Sequence, residues 1–148
     1  MKLALGSDHA GFAMKNSLAD WLRQEGHEVV EVYPARYDPQ DDYPDAAAAV
    51  ARAVASGQAE RGVIVCGSGV GASVAANKIK GVRAGLCHDT YSAHQGVEHD
   101  DINILCLGAR VIGEATAQEV LAAFLRARFT GEERHRRRLR KTMALEGP

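Results

Sequence analysis

Val63-Ile64-Val65-Cys66-Gly67-Ser68-Gly69-Val70-Gly71-Ala72 decides how the chain folds. Gly62 to Val65 reads as a strand buried on both faces, because it is short, apolar, β-branched and stopped by glycine. The glycines after Cys66 let backbone N–H groups converge on an anion or oxyanion, and a helix opens behind them. Cys66 is therefore expected at a helix N-terminus. There the positive end of the helix dipole favours the thiolate, and a cysteine can fall well below its free pKa of roughly 8.5. A strand, a glycine turn and a helix with a thiol between them make one unit of an α/β sheet with a reactive rim.

Outward from that unit, short apolar runs alternate with amphipathic stretches along the whole chain, as repeated βα units require. Leu3 to Leu5 reads as the first strand. A helix from about Gly11 to Glu25 follows, offering Phe12, Leu18, Trp21 and Leu22 as its inner face and ending at Gly26. Val29 to Val32 is the second strand. From Tyr33 to Pro44 the residues Pro34, Pro39, Pro44, Asp38, Asp41 and Asp42 spell a loop, after which Asp45 is expected to cap a helix to about Ser56. Beyond the central unit come a fourth strand at Gly85 to Cys87, a helix at Tyr91 to Glu98, a fifth strand at Ile104 to Leu107 and a helix at Gly113 to Arg128. The sequence predicts an α/β fold, a Rossmann-like three-layer domain with a five-stranded parallel sheet and an extra C-terminal helix over about 132–146. One domain over 1–148 is long enough to bury roughly 68–70% of its unfolded surface.

In an open parallel sheet, ligands bind beyond the carboxyl ends of the strands. That rule gathers Asp8 and His9 after the first strand and Cys66 to Gly71 after the third. His88 and Asp89 follow the fourth strand, and Gly108 to Arg110 the fifth.

Lys and Arg number 18 against 19 Asp and Glu, for a net charge of −1, and the pI is about 6.6. No global field favours nucleic acid or an anionic membrane, so any anion site is local and the expected partner is a small molecule. The Ala-rich stretch from Ala46 to Ala55 carries Arg52 and is too short for a bilayer core of ~30 Å. No basic-then-apolar leader follows Met1, and a cytoplasmic protein is expected. Cys66, Cys87 and Cys106 form no C-x-x-C pair and are odd in number, which argues against a disulfide framework and a structural zinc site. Cys87 and Cys106 lie in apolar runs and are expected in the core.

Several motif readings fail on particular residues. Gly67-x-Gly69-x-x-Ala72 matches the dinucleotide fingerprint, but Asp89 fits its distal acidic position only loosely, and the chain holds little more than one mononucleotide-binding half. No G-x-x-x-x-G-K-[ST] loop is present. A cysteine phosphatase needs Arg where Ala72 stands, and a receiver domain needs Asp where Cys66 stands and a carboxylate where His9 follows Asp8. The basic tract Arg134 to Lys141 reads mostly as a solvated helix face. Within it, Arg134 and Arg138 lie four apart on one face and suit a phosphate monoester. His99 stands at a predicted helix end, whereas His27, His94 and His135 carry no comparable context.

Gly6-Ser7-Asp8-His9-Ala10-Gly11-Phe12, Asp42-Tyr43-Pro44, Cys66-Gly67-Ser68-Gly69-Val70-Gly71, Ala75-Ala76-Asn77-Lys78, Glu98-His99-Asp100, Gly108-Ala109-Arg110 and Arg134-His135 together resemble the B-type ribose-5-phosphate isomerases. The resemblance spans essentially the whole chain, and galactose-6-phosphate and allose-6-phosphate isomerases share much of the set. It implies an aldose–ketose isomerisation of a sugar phosphate through an enediol, without metal or organic cofactor. By resemblance, Cys66 matches the catalytic base between C2 and C1, and His99 the group that opens the furanose ring. Ser68 and the backbone N–H groups of Gly67, Gly69, Val70 and Gly71 match the anion hole. Asp8 matches a residue on the sugar hydroxyls, and His9, Arg110, Arg134 and Arg138 match phosphate and sugar contacts. The resemblance also implies a homodimer or homotetramer with sites shared between subunits, the C-terminal helix reaching a neighbour.

The chain departs from the family at Asp100, where Asn usually follows the catalytic His. An amide that donates to a sugar oxygen becomes a carboxylate that only accepts. Isomerisation of ribose 5-phosphate is the function expected. Isomerisation of another sugar phosphate, such as a hexose 6-phosphate or a tetrose phosphate, and binding of sugar phosphate without catalysis are the alternatives.

Overall fold

Alternation along the strands sorts the helices onto two faces in the computed structural model, which describes residues 1–148. Five strands, β1 (Lys2–Ser7), β2 (Glu28–Tyr33), β3 (Arg61–Cys66), β4 (Ala84–Leu86) and β5 (Ile104–Gly108), form one sheet. All neighbouring pairs are parallel, in the order β2-β1-β3-β5-β4. Successive side chains on a strand point to opposite faces. Leu3, Leu5, Val63, Val65, Leu105 and Leu107 pack on one face against α1 (Phe12–Gln24), α4 (Thr90–Asp100) and α5 (Glu114–Arg126). Ala4, Ile64, Cys66, Ile104 and Cys106 pack on the other against α2 (Tyr43–Ala55) and α3 (Val70–Ala76). The side chains are small where the Ala-rich α2 lies close and large under α1 and α5. The three layers predicted from the sequence are present.

A last helix, α6 (Glu133–Ala144), lies outside both layers and packs against the end of α4. Only His135 is fully buried along it. The backbone N–H of Thr130 donates to the carbonyl of Glu98 at 3.0 Å, which ties the approach to α6 to the last turn of α4.

Three sequence expectations shift. The helix after the proline loop starts at Tyr43, with Asp42 rather than Asp45 at its N-cap. Pro44 suits the first turn, where a missing N–H loses nothing, and that pulls the start forward. The fourth strand covers Ala84–Leu86, so Cys87 lies just beyond it. Helix α4 runs on to Asp100, placing His99 inside its last turn, and Asp101 closes it in the left-handed conformation at φ 51.

Candidate active site

The strand order reverses direction between β1 and β3, since β2 lies to one side of β1 and everything after β3 to the other. Loops leaving two such strands diverge and open a crevice at their carboxyl ends. A cleft of about 470 Å³ lies there, lined by Asp8, Tyr43, Cys66, Gly67, Ser68, Val70, Gly71, Arg110 and Val111. Asp8, Cys66 to Ser68, Val70, Gly71 and Arg110 thus lie together at the carboxyl edge.

Cys66 is the last residue of β3 and is 4% exposed, and its Sγ accepts the backbone N–H of Gly69 at 3.1 Å. Gly69 caps α3 at φ 78, a left-handed conformation open to glycine at little cost. Ser68 Oγ accepts the N–H of Val70 at 3.2 Å. Two of the amides expected in the anion hole, those of Gly69 and Val70, are thus already turned to Sγ and Oγ within the chain. Asp8 is 8% exposed and its Oδ1 accepts the N–H of Gly11 at 3.1 Å.

The loop after β5 is laced to this turn. Ala109 N–H donates to the Cys66 carbonyl at 2.8 Å and Arg110 N–H to the Gly67 carbonyl at 3.0 Å. The guanidinium of Arg110 lies over Gly67, where a Cβ would be 3.4 Å from Nη1. Gly108 N–H donates to Nε2 of His88 at 2.9 Å, so His88 buttresses the loop. Asp89 accepts from Ser92 N–H at 2.7 Å and caps α4. These two residues hold backbone and do not line the cleft. A Cβ at Gly108 would stand 2.6 Å from the Ser68 carbonyl carbon and oxygen, both backbone atoms. Gly108→Ala is therefore expected to displace the Ser68 turn and to destabilise the fold by about 1–3 kcal/mol, measured by urea unfolding with activity followed in parallel.

His99, Asp100, Arg134 and Arg138 lie elsewhere. Helix α4 runs back from the carboxyl end of β4, so its last turn reaches the amino end of the sheet, about 16 Å away for 11 residues. His99 Nδ1 is bonded to Gln95 Nε2 at 2.9 Å, and its ring stacks on His135 at 4.0 Å between centroids and 16° between planes. Arg134 Nε donates to Glu132 Oε2 at 3.1 Å and to His135 Nε2 at 3.3 Å. Burial, then the neighbouring His99, pushes the pKa of His135 down, which favours the neutral ring whose Nε2 accepts from Arg134. Asp100 lines a separate hollow of about 490 Å³ between α6 and the loops at the amino edge. His99, Asp100, Arg134 and Arg138 thus form a second cluster, and one chain does not bring it to Cys66.

The remaining thiols are inert by environment. Burial, with Asp89 behind it, pushes the Cys87 thiol up to about 11, and burial raises that of Cys106 further. Both sit in the core, as expected from the sequence. Sequence reasoning missed roles for Tyr43, whose ring walls the cleft against Gly71, and for Asp41 and His135. A proline straight after Tyr43 marks where the loop must turn into α2 and was a usable signal. A histidine inside an arginine tract gives no sign of burial. No helix is long and apolar enough to cross a membrane.

The profile of the Ribose/Galactose Isomerase family matches residues 3–142. Ribose-5-phosphate isomerase B of Escherichia coli is 40% identical over 145 residues, which are 98% of this chain and 96% of that one. D-erythrulose-4-phosphate isomerase of Pectobacterium atrosepticum is also 40% identical, over 88% of this chain and 86% of its own. The solved structure of ribose-5-phosphate isomerase B from Clostridium thermocellum superposes with a TM-score of 0.95 at 42% identity, covering 99% of this chain and 97% of the other. Fold, order of motifs and full-length coverage agree, and the chain belongs to the ribose/galactose isomerase family.

Proposed function

We propose that this sugar-phosphate isomerase interconverts ribose 5-phosphate and ribulose 5-phosphate in a site that two subunits complete. The observation that carries the reading is Cys66 Sγ at the strand switch point, beside a glycine turn and in one cleft with Arg110. His99 of a second copy opens the furanose ring by moving a proton between ring oxygen and hydroxyl. Cys66 takes the proton from C2, the electron pair passes into an enediolate with its charge on O1, a proton passes from the C2 hydroxyl to O1, and the proton held by Cys66 returns at C1 as C2–O2 becomes the carbonyl. Amides of the Gly67–Gly71 turn with Ser68 hold the developing oxyanion, an interaction worth about 3–4 kcal/mol per well-placed donor. Asp8 binds sugar hydroxyls. Fixed cations at Arg110, and at Arg134 and Arg138 of the second copy, hold the phosphate, so that binding energy remote from C1 and C2 orients them. Proton transfer alone interconverts the two sugars, and the reading includes no cofactor.

The split between the two clusters supports the shared site. Tyr43, Val70 and Val111 line the cleft and are 40%, 51% and 56% exposed, an apolar rim suited to cover by another copy. The 40% identity to a D-erythrulose-4-phosphate isomerase favours a second reading, in which the sugar is a tetrose phosphate.

The test is ketose formation from ribose 5-phosphate without added metal, repeated with allose 6-phosphate, galactose 6-phosphate and erythrose 4-phosphate. A kcat/KM of about 10⁴ M⁻¹s⁻¹ or more for ribose 5-phosphate, above the others, is expected. A higher value for erythrose 4-phosphate would replace the pentose with the tetrose.

A further inference from the structure

The loop between β2 and α2 sends a carboxylate back to the end of β1. Asp41 Oδ1 accepts two bonds from one residue, the backbone N–H of His9 at 2.8 Å and His9 Nδ1 at 2.9 Å. A carboxylate can only accept here, so Nδ1 carries the proton and the tautomer of His9 is fixed by chemistry. The Asp41 side chain is 2% exposed, and its Oδ2 is buried without a partner. A buried carboxylate with one oxygen unsatisfied is costly, and its two bonds to His9 are what offset that cost.

We propose that Asp41 is a positioning residue that locks the His9 ring through Nδ1–H, so that the protonated imidazolium keeps its Nε2–H as an outward donor for the phosphate of the substrate. This rests on the reading of His9 as a phosphate contact. The charged groups that meet His9 reinforce one another. The hydrogen bond from Asp41 raises the pKa of His9 most, burial opposes it, and Asp8 beside it in the chain raises it again. Arg110, from the loop after β5, lines the neighbouring cleft together with Asp8. A histidine with a raised pKa stays cationic to higher pH, so phosphate binding persists where an ordinary histidine has lost its charge.

Asp41→Asn keeps the shape and an acceptor for the backbone N–H while removing the charge. Two readouts separate positioning from mere support: the titration of His9 by 15N NMR, and the dissociation constant of inorganic phosphate from the full chain as a function of pH. Wild-type His9 is expected to titrate above the ordinary value of roughly 6.5, and the variant at lower pH. Phosphate is expected to bind about tenfold more weakly to the variant near pH 8, the scale of one charge-assisted hydrogen bond. In a His9→Asn background, Asp41→Asn should add nothing. An unshifted His9 midpoint, an additive loss in the double variant, or phosphate binding to wild type without disturbing the His9 ring would each overturn the proposal. Wild-type titration at or below the ordinary value overturns it without any variant. Intact phosphate binding and His9 shift without ribose 5-phosphate turnover would instead remove the substrate reading and leave the dyad standing.

Discussion

Cys66→Ala is expected to lower ribose 5-phosphate turnover by about 10³-fold, near the middle of the range for a positioned general base, while the protein stays folded and still binds phosphate. The two halves of that outcome have separate causes. Chemistry is lost because Sγ is the one titratable side-chain atom at the end of β3, and the amide of Gly69 aims a donor at it from 3.1 Å. The fold survives because only one sulfur leaves a site among the small residues Ala4, Ala72 and Ala76, a cavity cost of roughly 1 kcal/mol. The matched control is Cys106→Ala, on the neighbouring strand and the same sheet face, which removes the same atom from a position with no access to the cleft. Its turnover is expected within about twofold of wild type, since the chemistry uses no group there. Cys66→Ala activity within about threefold of wild type would sink the thiol as base.

What the sequence made legible follows from where physical constraints are local. Alternation such as Val63/Ile64/Val65/Cys66 is enforced by two buried faces, so the strands, their parallel sense and the position of Cys66 could be read directly. Gly69 was legible too, because the turn into α3 needs a left-handed residue. Asp42 and Asp45 are both plausible caps before an alanine-rich run, and only the backbone geometry at Tyr43 and Pro44 chooses between them. The carboxyl-edge residues that the sequence reading gathers lie together, whereas His99, which the resemblance joins to them in a site shared between subunits, ends α4 at the opposite edge, because α4 must run back across the sheet before β5 can start. Any residue at the end of a crossover helix lies at the opposite edge, so the separation was implicit in the βα order. Asp41 reads as one loop charge among several. Its burial and its bonds to His9 depend on a contact across 32 positions, which no local pattern encodes. His135 is similar: α6 is charged nearly all round, and its burial depends on α4 packing beside it.

Mixing two inactive proteins is expected to restore activity. His99→Asn alone should lose about 10²- to 10³-fold in turnover of the cyclic sugar, since ring opening then lacks its acid–base group. Cys66 and His99 sit at opposite ends of the same sheet, so within one chain they cannot serve one substrate a few ångströms long. In a two-fold dimer each site would take Cys66 from one copy and His99 from the other. After subunit exchange between Cys66→Ala and His99→Asn proteins, half the dimers are mixed and each mixed dimer has one intact site, so recovery of about one quarter of wild-type activity is expected. The doubly substituted chain gives the opposite sign. Mixed with wild type it spoils both sites of every hybrid, and an equal mixture should retain about half the activity of the wild-type chains present. Independent sites would give no recovery in the first mixture and no loss in the second. An active monomer by sedimentation, at the concentration of the assay, would contradict the shared site outright, because no reorganisation short of unfolding α4 carries His99 to the rim where Cys66 lies.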